Sequence, residues 1–218
     1  MTDSKKRIVL IEDHPTVRER LAELINKDSI MEVCGEAEDA RAGLDLIRNV
    51  SPDLAIIDLT LKNSSGLDLV KQLRGLSISI PVLIFSMHNE AVYAQRALRA
   101  GANGYINKNR ASQEVIAAVH KVLSGEIYLS QEMTSEMLKK LAPIGLGKTL
   151  PRPTDRLSDR ELTVLEMIGE GHGTRAIAES LGVGVATVET YRARIKEKMN
   201  LQNTFDLLHF AIRWVRDR

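Results

Sequence analysis

A single cysteine, Cys34, leaves this chain no internal disulfide and speaks against a thiolate zinc cluster. Long hydrophobic runs are missing as well. No stretch approaches the roughly 20 apolar residues that a membrane helix needs. Residues 1–7 run directly into a strand-like segment, without the apolar core of a signal peptide. These absences lead to the expectation of a soluble, cytoplasmic protein with no membrane association. An excess of charge of one sign is also lacking. Lys and Arg total 30 against 29 Asp and Glu, a formal charge of +1. Net charge therefore gives no hint of a nucleic-acid partner, and local charge has to be read instead. No G-x-G-x-x-G follows the first apolar run, which excludes a nucleotide-binding dehydrogenase. What the chain does have is 44% apolar residues over 218 positions, enough for one large domain or two small ones.

The first half is organised around Asp58, the last polar residue of the run 53–59. Four apolar residues in a row, two of them β-branched, read as a strand buried on both faces of a parallel sheet. Similar short runs lie at residues 7–12, 31–36, 80–85 and 104–107. Helical spacing separates them: Val17, Leu21, Leu24 and Ile25 after Pro15, then Ala40, Leu44 and Ile47. Next come Leu67, Val70 and Leu73 after Gly66, and Val92, Ala94, Ala97 and Leu98 up to Gly101. The last set is Val115, Ile116, Val119 and Leu123, with Ser112 as cap and Gly125 as stop. Five strands alternating with five helices predict a doubly wound α/β domain with a five-stranded parallel sheet over residues 7–125.

Residues 126–156 read as a linker with one amphipathic helix over 131–142. The linker carries Pro143, Gly145, Gly147, Pro151 and Pro153, too many breakers for regular structure. From residue 157 to 218 four helical patterns and no strand predict a separate all-α domain. Ser158 and Glu161 form a capping box for its first helix. A short helix at 176–181, a turn containing Gly182 and Gly184, and a longer helix at 187–199 make a helix-turn-helix.

Polar residues stand at or just beyond the ends of four strands: Glu12 and Asp13, Asp58, Ser86, and Lys108. Each has a plainer explanation alone. Asp13-His14-Pro15 could cap a helix, Ser86 could end a strand for no chemical reason, and a lone lysine is usually solvated. Together, at the edge where doubly wound sheets bind ligands, they suggest a site. Three carboxylates in one crevice call for a hard cation such as Mg²⁺. A hydroxyl and an ammonium beside them suit phosphoryl oxygens. Attack of the Asp58 carboxylate on phosphorus, giving an acyl phosphate, is the matching chemistry.

These stretches resemble the receiver domain of bacterial two-component response regulators, which has a flavodoxin-like fold. The resemblance is carried by Glu12-Asp13-His14-Pro15, Ile57-Asp58-Leu59 with Gly66, Phe85-Ser86-Met87-His88, and Gly101-Ala102-Asn103-Gly104-Tyr105 leading to Lys108. It implies that Asp58 accepts phosphate from a sensor histidine kinase. It implies too that Glu12, Asp13, Asp58 and the Thr60 carbonyl surround Mg²⁺, and that Ser86 and Lys108 bind the phosphoryl oxygens. Tyr105 would change rotamer with the switch. Thr60 and His88 resemble a pair that tunes phosphate lifetime. Lys62 and Asn109 stand where prolines are common, so the conformation of the Lys108–Asn109 peptide stays open.

Residues 157–215 resemble the LuxR-type helix-turn-helix, on Leu157-Ser158-Asp159-Arg160-Glu161, Leu165, Gly171, Ile177-Ala178, Leu181, Val183, Thr187-Val188, Ile195 and Lys198-Met199. The order of the two parts is that of the NarL/FixJ class. Gly173 and Gly184 replace the usual capping serines, and Glu189 and Tyr191 replace a common lysine and histidine. In the helix around 184–199, Val188, Ile195 and Met199 form the inward stripe. Thr187, Thr190 and Arg194 point outward, with Arg192, Lys196 and Lys198 on the flanks and Glu189 beside them. These seven polar residues are the expected DNA contacts. The charges alone would fit a solvated helix face.

The expected function is a phosphorylation-switched transcriptional regulator that binds double-stranded promoter DNA. Its partners would be a sensor histidine kinase, a second copy on phosphorylation or on DNA, and RNA polymerase. It would be no enzyme beyond accepting and losing its own phosphate. Two other readings remain at this point. A phosphohydrolase would need a second acid and a cap, neither of which is visible in the sequence. A protein-binding module would show no salt-dependent DNA affinity.

Overall fold

The computed structural model describes residues 5–110, 112–141 and 153–217. The chain falls into two compact units that divide between Met137 and Leu138.

The first unit alternates strand and helix. β1 (Lys6–Ile11) leads to α1 (Pro15–Asn26), β2 (Met31–Ala37) to α2 (Ala40–Val50), and β3 (Leu54–Ile57) to α3 (Gly66–Gly75). β4 (Val82–Ser86) is followed by α4 (Glu90–Ala100), and β5 (Gly104–Asn107) by α5 (Ser112–Leu123). All five strands are parallel, in the order β2-β1-β3-β4-β5. β1, β3 and β4 read as apolar runs because both their faces are covered. On one face Ile8, Leu10, Leu54, Ile56, Leu83 and Phe85 pack with Leu21 and Ile25 of α1 and with Val115, Val119 and Val122 of α5. The alternate residues Val9, Ile11, Ala55, Ile57 and Ile84 are equally buried. The strand order reverses between β1 and β3, which places the ends of these two strands at the sheet's switch point.

Local chemistry matches the sequence reading at most element ends. Gly101 stops α4 with φ +103°. Gly66 opens α3 where the chain turns back on β3, and a Cβ there would collide with the Asp58 carbonyl oxygen. Three details differ from expectation. Ser112 is the first residue of α5 rather than its cap. The chain past residue 125 stays with the sheet: Tyr128 accepts from Tyr105 N–H (3.0 Å) and donates to Asn103 O (3.1 Å). α6 (Gln131–Leu141) follows, with Met133 buried. Residues 142–152, the part of the expected linker that holds Pro143, Gly145, Gly147 and Pro151, lie outside the described residues. Pro153–Arg156 nevertheless forms a single 3₁₀ turn, since proline's fixed φ suits a first helical turn.

In the second unit, the described residues past Arg156 form four helices: α7 (Asp159–Gly169), α8 (Thr174–Leu181), α9 (Val185–Met199) and α10 (Thr204–Arg216). The capping box at α7 is present in full: Ser158 Oγ accepts from Glu161 N–H, and the Glu161 carboxylate accepts from Ser158 N–H. Gly173 and Gly184 sit at the N-caps of α8 and α9 without a side-chain bond. Gly182, at φ +65°, makes the left-handed turn between them. Leu162, Leu165, Ile168, Ile177, Leu181, Val188, Ile195, Leu207 and Ala211 form the core. No helix among the described residues is long and apolar enough to cross a membrane.

Candidate functional site

The strand ends bring the expected acids and lysine together. Asp58 follows β3 directly, and its N–H bonds Ile11 O at 2.8 Å, so the ends of β1 and β3 are in register. Lys108, just past β5, is buried and reaches both neighbouring acids. Its Nζ donates to Glu12 Oε2 at 2.5 Å and to Asp58 Oδ2 at 2.8 Å. Its backbone N–H is fixed to Ser86 O at 2.8 Å. Burial pushes the Asp58 carboxyl from 3.8 up to about 6, against the pull of the Lys108 ammonium and with help from the Glu12 charge. Burial draws the Lys108 ammonium down, but Asp58 and Glu12 outweigh it, and the net shift is upward. Lys108 therefore keeps its proton throughout the physiological range.

A cation would meet oxygen donors here. Glu12, Asp13, His14 and Asp58 each offer a ligand atom within 4.8 Å of the others. Asp13 Oδ1 is buried and accepts no hydrogen bond. His14 Nδ1 is 2.9 Å from it, yet without hydrogen-bond geometry. A buried carboxylate oxygen without a donor is costly, and carboxylates are what Mg²⁺ takes, so the residues fit that ion. His14 occupies the N-cap of α1 but makes no capping bond. Its N–H and its Nδ1 both turn to Glu12 Oε1, at 3.1 and 3.2 Å.

The loop after β4 is tied down through His88. Its N–H donates to Ser86 Oγ (3.1 Å), and Ser86 is fully buried. Its carbonyl accepts from Tyr105 OH (2.8 Å) and Asn107 Nδ2 (3.0 Å). Its ring nitrogen Nε2 meets Thr60 Oγ1 at 2.9 Å, and the ring packs on Tyr93. Thr60 N–H in turn reaches Asp58 Oδ1 at 3.4 Å. Tyr105 is fully buried. Asn107 escaped the sequence reading; an Asn at a strand's end carries no signal apart from the loop that it braces. The Lys108–Asn109 peptide is trans, as are all peptides among the described residues. Asn109 N–H is held by Asn107 Oδ1 at 2.9 Å.

On α9 the inward stripe is as expected for Val188 and Ile195, both fully buried. Thr187, Glu189, Thr190 and Arg194 are exposed, and Arg192 and Lys196 are half-buried. Several of them are already engaged. Thr190 Oγ1 donates to Ala186 O at 2.9 Å. Glu189 Oε1 accepts from Thr174 Oγ1 at 3.0 Å, and Thr174 accepts from Arg192 Nη1 at 3.3 Å. Lys198 Nζ lies 2.6 Å from Glu161 Oε2, an acid only 2% exposed. Burial raises the Glu161 carboxyl, but Lys198 and Ser158 overcome this and hold it below its usual value. The exposed Ala186, Ala193 and Glu197 share the outer face; a search for charged and hydroxyl side chains passes over alanines.

Comparison with known proteins agrees with both halves. Residues 8–120 match the response regulator receiver domain, and residues 155–211 match the bacterial regulatory proteins of the luxR family. The transcriptional regulatory protein MctR of Rhizobium johnstonii is 30% identical over 213 residues, spanning 97% of this chain and 96% of that one. The response regulator UvrY of Escherichia coli is 29% identical over 206 residues, 94% of this chain and 93% of its own. A LuxR-family two-component response regulator from Aurantimonas shares 33% identity over 63% of this chain and 99% of its own, with TM-score 0.59. RcsB of Salmonella enterica, solved on the rprA promoter with a phosphomimetic, shares the fold over 95% of this chain and 98% of its own. Its TM-score is 0.61 at 23% identity. The chain belongs to the response regulators of the NarL/FixJ class, which join a receiver to a LuxR-type helix-turn-helix. It is a phosphorylation-dependent transcriptional regulator that binds DNA.

Proposed function

We propose that Asp58 is the phosphoacceptor and that its phosphorylation controls DNA binding through α9. One observation carries this reading: Lys108 Nζ bridges Asp58 and Glu12 in a buried pocket at the sheet's switch point. A fixed ammonium beside the attacking carboxylate is placed to meet a phosphoryl oxygen.

In the reaction an Asp58 oxygen attacks the phosphorus of a kinase phosphohistidine. The P–N bond breaks, an acyl P–O bond forms, and the imidazole leaves with the bonding pair and takes a proton. Asp58 must enter as carboxylate, and Lys108 favours that form. Mg²⁺, held by Glu12, Asp13, Asp58 and the Thr60 carbonyl, would supply positive charge for the phosphoryl oxygens. Ser86 Oγ accepts from His88 N–H, which leaves its own proton free to turn toward the phosphoryl group. Because His88 O anchors Tyr105, movement of Ser86 would be felt at Tyr105. Accepting and losing this phosphate is the chain's only covalent chemistry in this account.

The functional division would be receiver 7–125, connecting segment 126–156 and DNA-binding module 157–218. The partners would be a sensor histidine kinase, double-stranded promoter DNA, a second copy of the chain and RNA polymerase, in the cytoplasm. Incubation with acetyl phosphate and Mg²⁺ tests the acceptor. Mass should rise by one phosphoryl group, on a peptide containing Asp58, and Asp58→Ala should gain none. Label on Ser86 or His88 would overturn the assignment.

A further inference from the structure

The acidic pocket contains one group that the proposed magnesium site does not use. His14 Nδ1 faces both Asp13 Oδ1, at 2.9 Å, and Glu12 Oε1, at 3.2 Å. Two ligands at right angles on a cation with bonds of about 2.1 Å lie about 3.0 Å apart, so both spacings are those of neighbouring corners of one octahedron. The contact to Asp13 has no hydrogen-bond geometry, and Asp13 Oδ1 is buried with no donor. These two atoms are thus placed as two ligands would be, rather than as donor and acceptor. The ring is 68% exposed, so its other nitrogen can keep a proton and meet water.

We propose that His14 Nδ1 is a ligand at this centre. It would join Glu12 and Asp13 around one divalent cation and tilt the site from magnesium toward nitrogen-binding transition cations such as Mn²⁺ and Ni²⁺. The inference rests on the proposed cation site and adds to it. Imidazole favours the later divalent metals, whereas an all-oxygen set suits magnesium. Before binding, Nδ1 hydrogen-bonds Glu12 Oε1. On binding, its lone pair goes to the metal and the remaining ring proton sits on Nε2. A ring that enters as imidazolium releases its second proton to solvent.

The test uses the full chain and three ions. With Mn²⁺, pulsed electron paramagnetic resonance should show coupling to one histidine nitrogen. That coupling should change to the ¹⁵N pattern in ¹⁵N-histidine protein and vanish in His14→Ala. By calorimetry, His14→Ala should weaken Ni²⁺ at the Asp13-dependent site by roughly tenfold or more, while Mg²⁺ affinity changes less than about twofold. His14→Asn keeps a good N-cap residue on α1 and should behave as His14→Ala does. Mn²⁺ bound without nitrogen coupling, or Ni²⁺ affinity unchanged in both variants, overturns the inference and leaves the magnesium site standing. Binding of all three ions that is indifferent to Asp13→Ala overturns the cation site and the inference with it.

Discussion

Thr60 Oγ1 and His88 Nε2 lie 2.9 Å apart, a side-chain hydrogen bond that joins the loop after β3 to the loop after β4. Thr60 is also the residue whose N–H reaches Asp58 Oδ1. The bond therefore spans between Asp58 and the residue that holds Ser86 Oγ.

Loss of this bond should open the approach of water to the acyl phosphate. One such hydrogen bond contributes about 1 kcal/mol, which is about fivefold in a rate. Thr60→Ala and His88→Ala should each shorten the phosphate half-life by about that factor, with Mg²⁺ affinity nearly unchanged. Half-lives equal to wild type in both variants would count against a gate at this position.

Asp58 should make the metal-free protein less stable as pH rises. Its carboxyl titrates at 3.8 unfolded and near 6 folded. A raised pKa means that the cost is absent below pH 4, grows as the group ionises, and is complete above pH 6. Two units correspond to about 3 kcal/mol. Urea denaturation without divalent ions should show Asp58→Asn gaining on wild type by roughly that amount between pH 4 and 7. Mg²⁺ should shrink the gap by stabilising wild type. A difference that is flat with pH would refute the burial argument.

Lys196 and Lys198 should part company. Lys198 is paired with Glu161, itself part of the α7 capping box. Removing it strands a buried carboxylate, so Lys198→Ala should destabilise the helical unit by about 1–3 kcal/mol. Lys196→Ala should leave stability alone and reduce the salt slope of DNA binding by about one. Thermal unfolding and a salt titration on each variant separate the two roles. A reversed pattern would mean that Lys198 faces phosphate.

Arg194 is exposed, while Arg192 is bonded to Thr174. Arg194→Ala should lower discrimination between a preferred and a scrambled duplex by about 1–3 kcal/mol, the worth of a good base contact. Glu189→Ala should act through Arg192 and weaken both duplexes together. If Arg194→Ala weakens both equally, base reading belongs elsewhere on the outer face.

Four of the five strands were legible because each is short, largely apolar and closed or followed by a polar residue, and so were the polar groups at their ends; β2, with Glu32 and Glu36, has no such pattern. Alternation places Asp58 and Lys108 at one edge, and their distance in sequence does not matter to that inference. Thr60 and His88 stand as a pair in the sequence reading, but neither their hydrogen bond nor that of Glu161 with Lys198 had such a signature. Each joins residues 28 or 37 positions apart, and no periodicity relates them. Lys198 looked like a phosphate contact because a basic residue on a helix flank reads alike whether it faces solvent or a buried acid. Tyr128 was missed because a two-residue bridge to the sheet is shorter than any strand pattern.

On the proposed function, phosphate on Asp58 sets the affinity of α9 for DNA. The most direct test is a DNA titration of the full chain, on duplexes selected from a random pool, before and after acetyl phosphate with Mg²⁺. Asp58→Ala is run alongside. Binding should be tighter after phosphorylation in wild type and unchanged in Asp58→Ala. Equal affinity of the phosphorylated and unphosphorylated wild-type protein, or the same gain in Asp58→Ala, would contradict it.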